Sequence, residues 1–234
     1  MSNIITMKYI NNVGIKDLVY ENKNGRKIYL LNNGYKFKEF PQTQRPLSNP
    51  DNLFVYNNLI EQSKIDLETI DVPKGIVADD NNVYGYIAPF FEGIPISEID
   101  PEFLITELFN ILDKIESDVI VLSREGWYLE DLHDQNLLIN KSLSTGKIID
   151  LDDSLKTKER AIQKNMLLIF NVIIYSILPR IQLSKAFKKD VVQQYFLMAS
   201  QGLTSTSEFL RHLLAALKIR IITGVTIEDI RKKL

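Results

Sequence analysis

The chain contains no cysteine in its 234 residues. Disulfides and thiolate catalysis are therefore excluded, and the composition fits a reducing compartment, so the expected location is the cytoplasm. Charge of one sign is not in excess either. The formal net charge is −2, which gives no global attraction to nucleic acid or to an acidic membrane, and neither partner is expected. Long hydrophobic runs are missing as well. The most apolar stretch, Met166 to Leu178, is too short to span a bilayer and is interrupted by Asn171 and Ser176, so it reads as a buried helix. The first residues, Met1-Ser2-Asn3-Ile4-Ile5-Thr6-Met7-Lys8, have no apolar core and no small-residue cleavage site, which argues against a signal peptide. What remains is ordinary for a globular protein: 45% hydrophobic and 25% charged residues, enough for one large domain or two small lobes.

The first forty residues read as strands. Ile15 to Tyr20, Lys27 to Leu31 and Tyr35 to Phe40 form an antiparallel meander, joined by an Asn24-Gly25 turn of type I′ and by Asn32-Asn33-Gly34. A helix follows to about Lys64, capped by Asp51 or Asn52, with Leu53, Tyr56 and Ile60 on one face and Glu61 near its edge. Ile76 to Ala78 and Val83 to Ala88 form a further strand pair around Asp79-Asp80-Asn81-Asn82. After Ser97 the period becomes helical. Ile105, Leu108, Ile111, Leu112 and Ile115 mark a helix from Pro101 to about Ile120. Leu137-Leu138-Ile139 and Ile148-Ile149, with Ser144-Thr145-Gly146 as the turn, form a hairpin. Beyond Asp153 only helices are expected, over Lys158–Leu178, Ser184–Ser200, Ser205–Ile219 and Thr226–Lys233, the last opened by a capping-box-like Thr226-Ile227-Glu228-Asp229.

Around that hairpin stand three oxygen-bearing side chains: Asp131 and Asn136 in Asp131-Leu132-His133-Asp134-Gln135-Asn136, and Asp150 in Ile149-Asp150-Leu151-Asp152. This set, on two apolar frames, resembles the catalytic and metal-binding loops of the protein-kinase-like superfamily. The resemblance covers about residues 15 to 180 and points to a compact bacterial-type member, close to eukaryotic-like Ser/Thr kinases and aminoglycoside phosphotransferases. It implies an α+β, two-lobed fold: a small antiparallel β N-lobe with one helix (1–88), a hinge (89–93) and a mainly helical C-lobe (94–234). It also implies ATP and Mg²⁺ as cofactors. Asp131 would orient the acceptor hydroxyl and accept its proton, while Asn136 and Asp150 would hold magnesium. Lys38, or alternatively Lys36 on the same strand face, would contact the phosphates, with Glu61 as its helix partner. Gly25 would lie in the phosphate loop, and Ala88, Pro89 and Phe90 would line the adenine pocket. His133 is expected to bond backbone, Asp152 and Asp153 to be solvated loop acids, and His212 to be structural.

The chain departs from that pattern in two places. The phosphate-loop candidate, Glu21-Asn22-Lys23-Asn24-Gly25-Arg26, has one glycine instead of three, which hinders close approach of backbone to phosphate. After Asp150 there is no Ala-Pro-Glu and no room for a long activation segment. In addition, Leu129 and Glu130 replace residues usual in relatives. The activity implied is phosphoryl transfer to a protein Ser or Thr hydroxyl. The alternatives are a small-molecule kinase of the aminoglycoside or choline type, and a pseudokinase that binds without transferring.

Overall fold

The computed structural model describes residues 4–142, 144–152, 154–157, 159–179, 181–220 and 224–234. Two compact units form. The first comprises residues 1–67 and 71–91, the second residues 68–70 and 92–234.

The first unit is built from β1 (Ile4–Ile5), α1 (Met7–Val13), β2 (Ile15–Glu21), β3 (Lys27–Leu31), β4 (Tyr35–Glu39), α2 (Pro50–Gln62), β5 (Gly75–Ala78) and β6 (Val83–Pro89). Its strands make one six-stranded sheet in the order β1-β5-β6-β4-β3-β2. All pairings are antiparallel except β1 with β5. Alternation along the strands divides the core in two, because successive side chains leave opposite faces. Ile76, Ala78, Tyr86 and Ala88 cluster with Phe40 and with Leu59 of α2. Val77, Ile87, Phe37 and Leu31 cluster with Ile10 of α1. Gly85 permits the close approach of β6 to β4: it has φ +147°, and a Cβ there would lie 1.9 Å from the Lys38 carbonyl oxygen.

Several local expectations change here. The meander is preceded by a helix, since Ile10 finds a fully buried place against the sheet and Gly14, at φ 81°, ends the turn by donating to the Ile10 carbonyl. The Asn24-Gly25 connection is a wider loop than type I′. Only Gly25 has positive φ, and Asn22 Oδ1 accepts the amides of Asn24 (3.0 Å) and Arg26 (2.9 Å). Asn49 caps α2 by accepting from the Asp51 amide at 2.9 Å, with Pro50 at the first helical position, where its missing N–H costs nothing. Leu53 is exposed, and the buried stripe of α2 carries Asn52, Asn58, Leu59 and Gln62.

The second unit holds β7 (Ile94–Pro95), α3 (Ile105–Arg124), β8 (Trp127–Tyr128), β9 (Leu137–Asn140), β10 (Thr145–Ile148), β11 (Leu155–Lys156), α4 (Ala161–Ile177), α5 (Asp190–Ala199), α6 (Thr206–Ala216) and α7 (Ile227–Lys233). β9 and β10 form the expected hairpin, with β7 added on the far edge of β9. The stretch after Asp153 is not helical throughout: β11 pairs antiparallel with β8. Residues 68–70 join this unit because the Ile148 amide donates to the Thr69 carbonyl (2.8 Å), while Asp118 Oδ2 accepts from the Thr69 amide and hydroxyl (2.7 and 2.8 Å). The capping box on α7 is present: Thr226 Oγ1 accepts from the Asp229 amide and the Asp229 carboxylate accepts from the Thr226 amide. Among the described residues no helix is long and apolar enough to cross a membrane.

One buried acid ties α3 to α6. The Glu116 carboxylate accepts the Thr206 amide at 2.6 Å, in the first turn of α6. Burial raises its pKa above the ordinary 4.5, against the opposing effect of its bonds to Thr206 and Ser207. Between 4.5 and the raised value the native state holds more protons than the unfolded chain, so stability falls as pH rises through that window. Glu116→Gln keeps the acceptor without the charge. Melting temperatures across pH 4 to 8 are expected to decline with pH through this window in the native protein and to be flatter in the variant (about pH 4 to 8 covers the acid range in question).

Candidate active site

The elements of the second unit converge on the segment Leu129–Asn136. β8 delivers the chain into it and β9 takes it out. It is anchored from below by Asn165, a wholly buried side chain in the first turns of α4. Asn165 Oδ1 accepts the Leu129 amide at 2.8 Å, and its Nδ2 donates to the Ser123 hydroxyl and the Trp127 carbonyl, each at 2.8 Å. Ser123 in turn donates to the Val119 carbonyl at 2.6 Å. Both ends of the amide are satisfied, so a helix, the end of α3 and the start of the loop are held as one body.

Two residues beyond Leu129 lies Asp131, whose side chain is 58% exposed. Asn136 is buried, and its Nδ2 donates to the Asp131 carbonyl at 2.9 Å. That bond commits the amide nitrogen and leaves the amide oxygen as the acceptor end. The Asn136 carbonyl then accepts the Ile149 amide at 2.9 Å, which fixes the residue before Asp150. Asp150 has φ 70°, a left-handed conformation that a non-glycine residue adopts only when its surroundings hold it there. Asp131 and Asp150 line one small cleft with Leu129, Leu132, Ile148 and Ile149. The three polar residues singled out in the sequence are thus brought together. A wider hollow of about 1020 Å³ lies elsewhere, between the end of α3 and the start of α4, with exposed Arg124, Lys156 and Arg160 on its rim.

His133 Nδ1 accepts the Gln135 amide at 3.2 Å and so caps the short turn Asp134–Asn136. Its Nε2 lies 3.9 Å from Asp131 Oδ2. Asp134 has its pKa held down, first by a bond from Ser97 and then by one from Gln135. Asp152 is buried, against the expectation of a solvated acid, and Asp153 lies outside the described residues. His212 stacks on Tyr195 with ring centroids 3.5 Å apart.

The remaining candidates belong to the first unit. Lys36 and Lys38 leave β4 on the face shared with Ala88 and Tyr86, their register partners on β6. Both are buried, Lys38 to 2% exposure, with its ammonium 5.9 Å from the Tyr86 ring centre. Lys36 forms an ion pair with Asp71. Glu61 is on the exposed side of α2, and Gln62 takes the buried position beside it. Gly25 sits in the β2–β3 loop. Ala88 is buried, and Pro89 and Phe90 are half-buried. Proline has no amide hydrogen, and the Phe90 amide donates to the Gly34 carbonyl at 3.1 Å. Neither residue therefore offers a free N–H.

Sequence reasoning missed Asn165 and Asp71. Their signal was the same in kind: a lone polar residue next to apolar ones, Asn165 before Met166-Leu167-Leu168-Ile169 and Asp71 between Ile70 and Val72.

Asn165→Ala removes three buried hydrogen bonds and strands the groups that made them. The expected cost is about 2–4 kcal/mol in denaturant unfolding. Hydrogen exchange should show lost protection at the Leu129 amide before general loss in α3. Unchanged exchange at Leu129 would contradict the anchoring role.

No protein-family model matches the chain, and no curated protein sequence matches it. Among solved structures, the crystal structure of Rad53 1-466 in complex with AMP-PNP is similar at a TM-score of 0.57 and 13% identity. The match covers 85% of this chain and 63% of that one, so the chain spans less than two thirds of its length. The order of parts agrees with this likeness: a β-sheet unit with a helix on each face, then a helical unit with a polar hairpin. The chain has a protein-kinase-like fold.

Proposed function

We propose that the protein is an ATP- and Mg²⁺-dependent phosphotransferase acting on a hydroxyl group, with a protein Ser or Thr as acceptor. The observation that carries this reading is the joint placement of Asp131, Asn136 and Asp150. Two carboxylates line one cleft, and the Asn136 amide is oriented by its bond to the Asp131 carbonyl. A scaffold has no need of that set.

The donor set fits magnesium. The Asp150 carboxylate and the Asn136 amide oxygen are hard oxygen ligands. Among the described residues no three His, Asp or Glu side chains form a complete metal cage, so the nucleotide phosphates would supply the remaining ligands. When bound, the ion neutralises phosphate charge. Asp131 orients the acceptor hydroxyl and takes its proton as the oxygen attacks the γ-phosphorus and the bond to the ADP oxygen breaks. His133, with Nδ1 accepting the Gln135 amide, steadies the turn between Asp131 and Asn136. On the first unit, Lys38 takes the phosphate role and residues 89–93 form the hinge, with Ala88, Pro89 and Phe90 against the base. The AMP-PNP in the Rad53 complex supports a nucleotide as ligand of this fold.

A second reading keeps the chemistry and changes the acceptor to a small-molecule alcohol. Its support is the brevity of the chain between Asp150 and α4, residues 151–160, which leaves little backbone for a peptide platform.

Transfer of γ-labelled phosphate from Mg-ATP in a cell lysate tests both. Label on lysate proteins that disappears with Asp131→Ala is the expected result, with a drop of at least about a hundredfold. Label in small molecules alone would select the second reading. Bound ATP with no transfer by the native protein would overturn both. Because residues 151–160 are few, activity is expected not to depend on phosphorylation between Asp150 and Asn165. A peptide map that correlates modification there with activation would refute this.

A further inference from the structure

The hollow between the end of α3 and the start of α4 has no part in the chemistry of the cleft. Its volume is about 1020 Å³, and none of the described residues that line it also lines the cleft of Asp131 and Asp150. It is assembled at one end of the β8–β11 ribbon, in which Lys156 lies opposite Trp127 and Leu155 opposite Tyr128. Just past the ribbon the Thr157 amide donates to the Gly126 carbonyl at 2.7 Å. Gly126 has φ +88°, and a Cβ there would come within 3.1 Å of the Thr157 carbonyl oxygen, so the approach favours glycine. This contact draws residues 155–160 against the end of α3. Lys156 and Arg160 thereby share one hollow with Arg124.

Those three cations are opposed by a single lining carboxylate, Glu125, and all four residues are exposed. Other arginines of the chain are matched to carboxylates: Arg45 holds Glu39 at 2.7 Å, and Arg211 holds Asp113 at 3.0 Å. Among the described residues Arg124 and Arg160 have no ion pair and no side-chain hydrogen bond. Two guanidiniums on one hollow repel each other, and an oxyanion between them turns that repulsion into charge-assisted hydrogen bonds. The planar fork of arginine matches phosphate geometry. The remaining lining is mixed. Ala161 is buried and Ile162 is 38% exposed, which gives the hollow an apolar side. Its size is at the upper end for small-molecule sites, roughly 300–1,000 Å³, and exceeds what a bare oxyanion fills.

We propose that this hollow is a second ligand site, and that it takes a phosphate monoester. Arg124 and Arg160 donate to the phosphate oxygens, Lys156 adds positive charge, and the organic body lies against Ala161 and Ile162. A phosphate monoester carries about −1.5 to −2 charge at neutral pH, which balances the excess of three cations over one carboxylate. The same group occurs on a phosphorylated side chain and on a small organic phosphate. The site stands on its own residues and does not depend on the kinase reading.

Titration of the full chain, followed by amide NMR shifts without Mg²⁺ or nucleotide, tests the site. The probes are phenyl phosphate, inorganic phosphate, and a threonine peptide with and without phosphate. Saturable shifts at Gly126, Thr157 and Ile162 are expected with the esters and not with the unphosphorylated peptide. Phenyl phosphate should bind more tightly than inorganic phosphate, because only the ester reaches the apolar side. Arg124→Gln with Arg160→Gln should weaken the esters by about tenfold or more. Both side chains are exposed, so the fold should survive, and an unchanged melting temperature checks this. Arg220→Gln, at another exposed arginine outside the hollow, should change affinity by less than about twofold. Tighter binding of the phosphopeptide than of phenyl phosphate would support a protein as the source, and the reverse order a small organic phosphate. Shifts confined to Leu129–Asn136 and Asp150, an equal loss with Arg220→Gln, or affinity unchanged in the double variant would overturn the site. So would equal affinity for inorganic phosphate, or no saturation by either ester. Phosphoryl transfer from ATP is measured separately, and none of these outcomes bears on it.

Discussion

The polar loop of the second unit depends on one buried amide. Asn165 sits in a helix that is otherwise apolar on its inner side, and its three bonds reach the end of α3, the residue Trp127 and the amide of Leu129. A helix is stiff and a loop is not, so a loop becomes precise when its backbone is bonded to a helix packed in the core. From Leu129 the constraint passes along the chain: Asp131 follows two residues later, Asn136 is tied to its carbonyl, and Ile149 is tied to Asn136. Asp150 takes up its left-handed backbone at the end of that series. Such a conformation persists only where the neighbours on both sides are already held.

The first unit has a different problem. Two lysines on one strand face are buried in an otherwise apolar cluster. Lysine charges in such a place require partners, and for Lys36 the partner comes from the connection after α2. Asp71 is two residues beyond Thr69, and residues 68–70 are paired within the second unit. The same short connection therefore carries a strand bridge to β10 and a carboxylate for β4. The opposite face of the sheet is closed by α1 through Ile10, so each face has a helix.

Much of this was legible in the chain where the cause is local. The Asp79–Asn82 turn forms because the Asp79 carboxylate accepts the amides of Asn81 and Asn82. The α7 capping box needs only Thr226 and Asp229. The β9–β10 hairpin follows from alternating apolar residues around a polar turn. What misled were features whose cause lies far off in sequence. α1 forms where strands were expected, because Ile10 packs on the sheet. β11 exists because β8 lies beside it. Of the face expected to carry Leu53, Tyr56 and Ile60, Tyr56 and Ile60 do pack against the core beside buried Leu59, whereas tertiary packing leaves Leu53 exposed.

By itself the sequence determined the β4, α2, β5–β6 and β9–β10 segments, two apolar frames and the residues Asp131, Asn136 and Asp150 beside them, since hydrophobic period and turn chemistry act over a few residues. Only the tertiary structure decided that Asn165 holds the loop, that Asp71 pairs with Lys36, and that Asp152 is buried. Those contacts join residues 35 or more positions apart, as Leu129 to Asn165 does over 36. No local pattern encodes them. They arise because buried polar groups must find partners, and which partners are within reach is settled by how the elements pack.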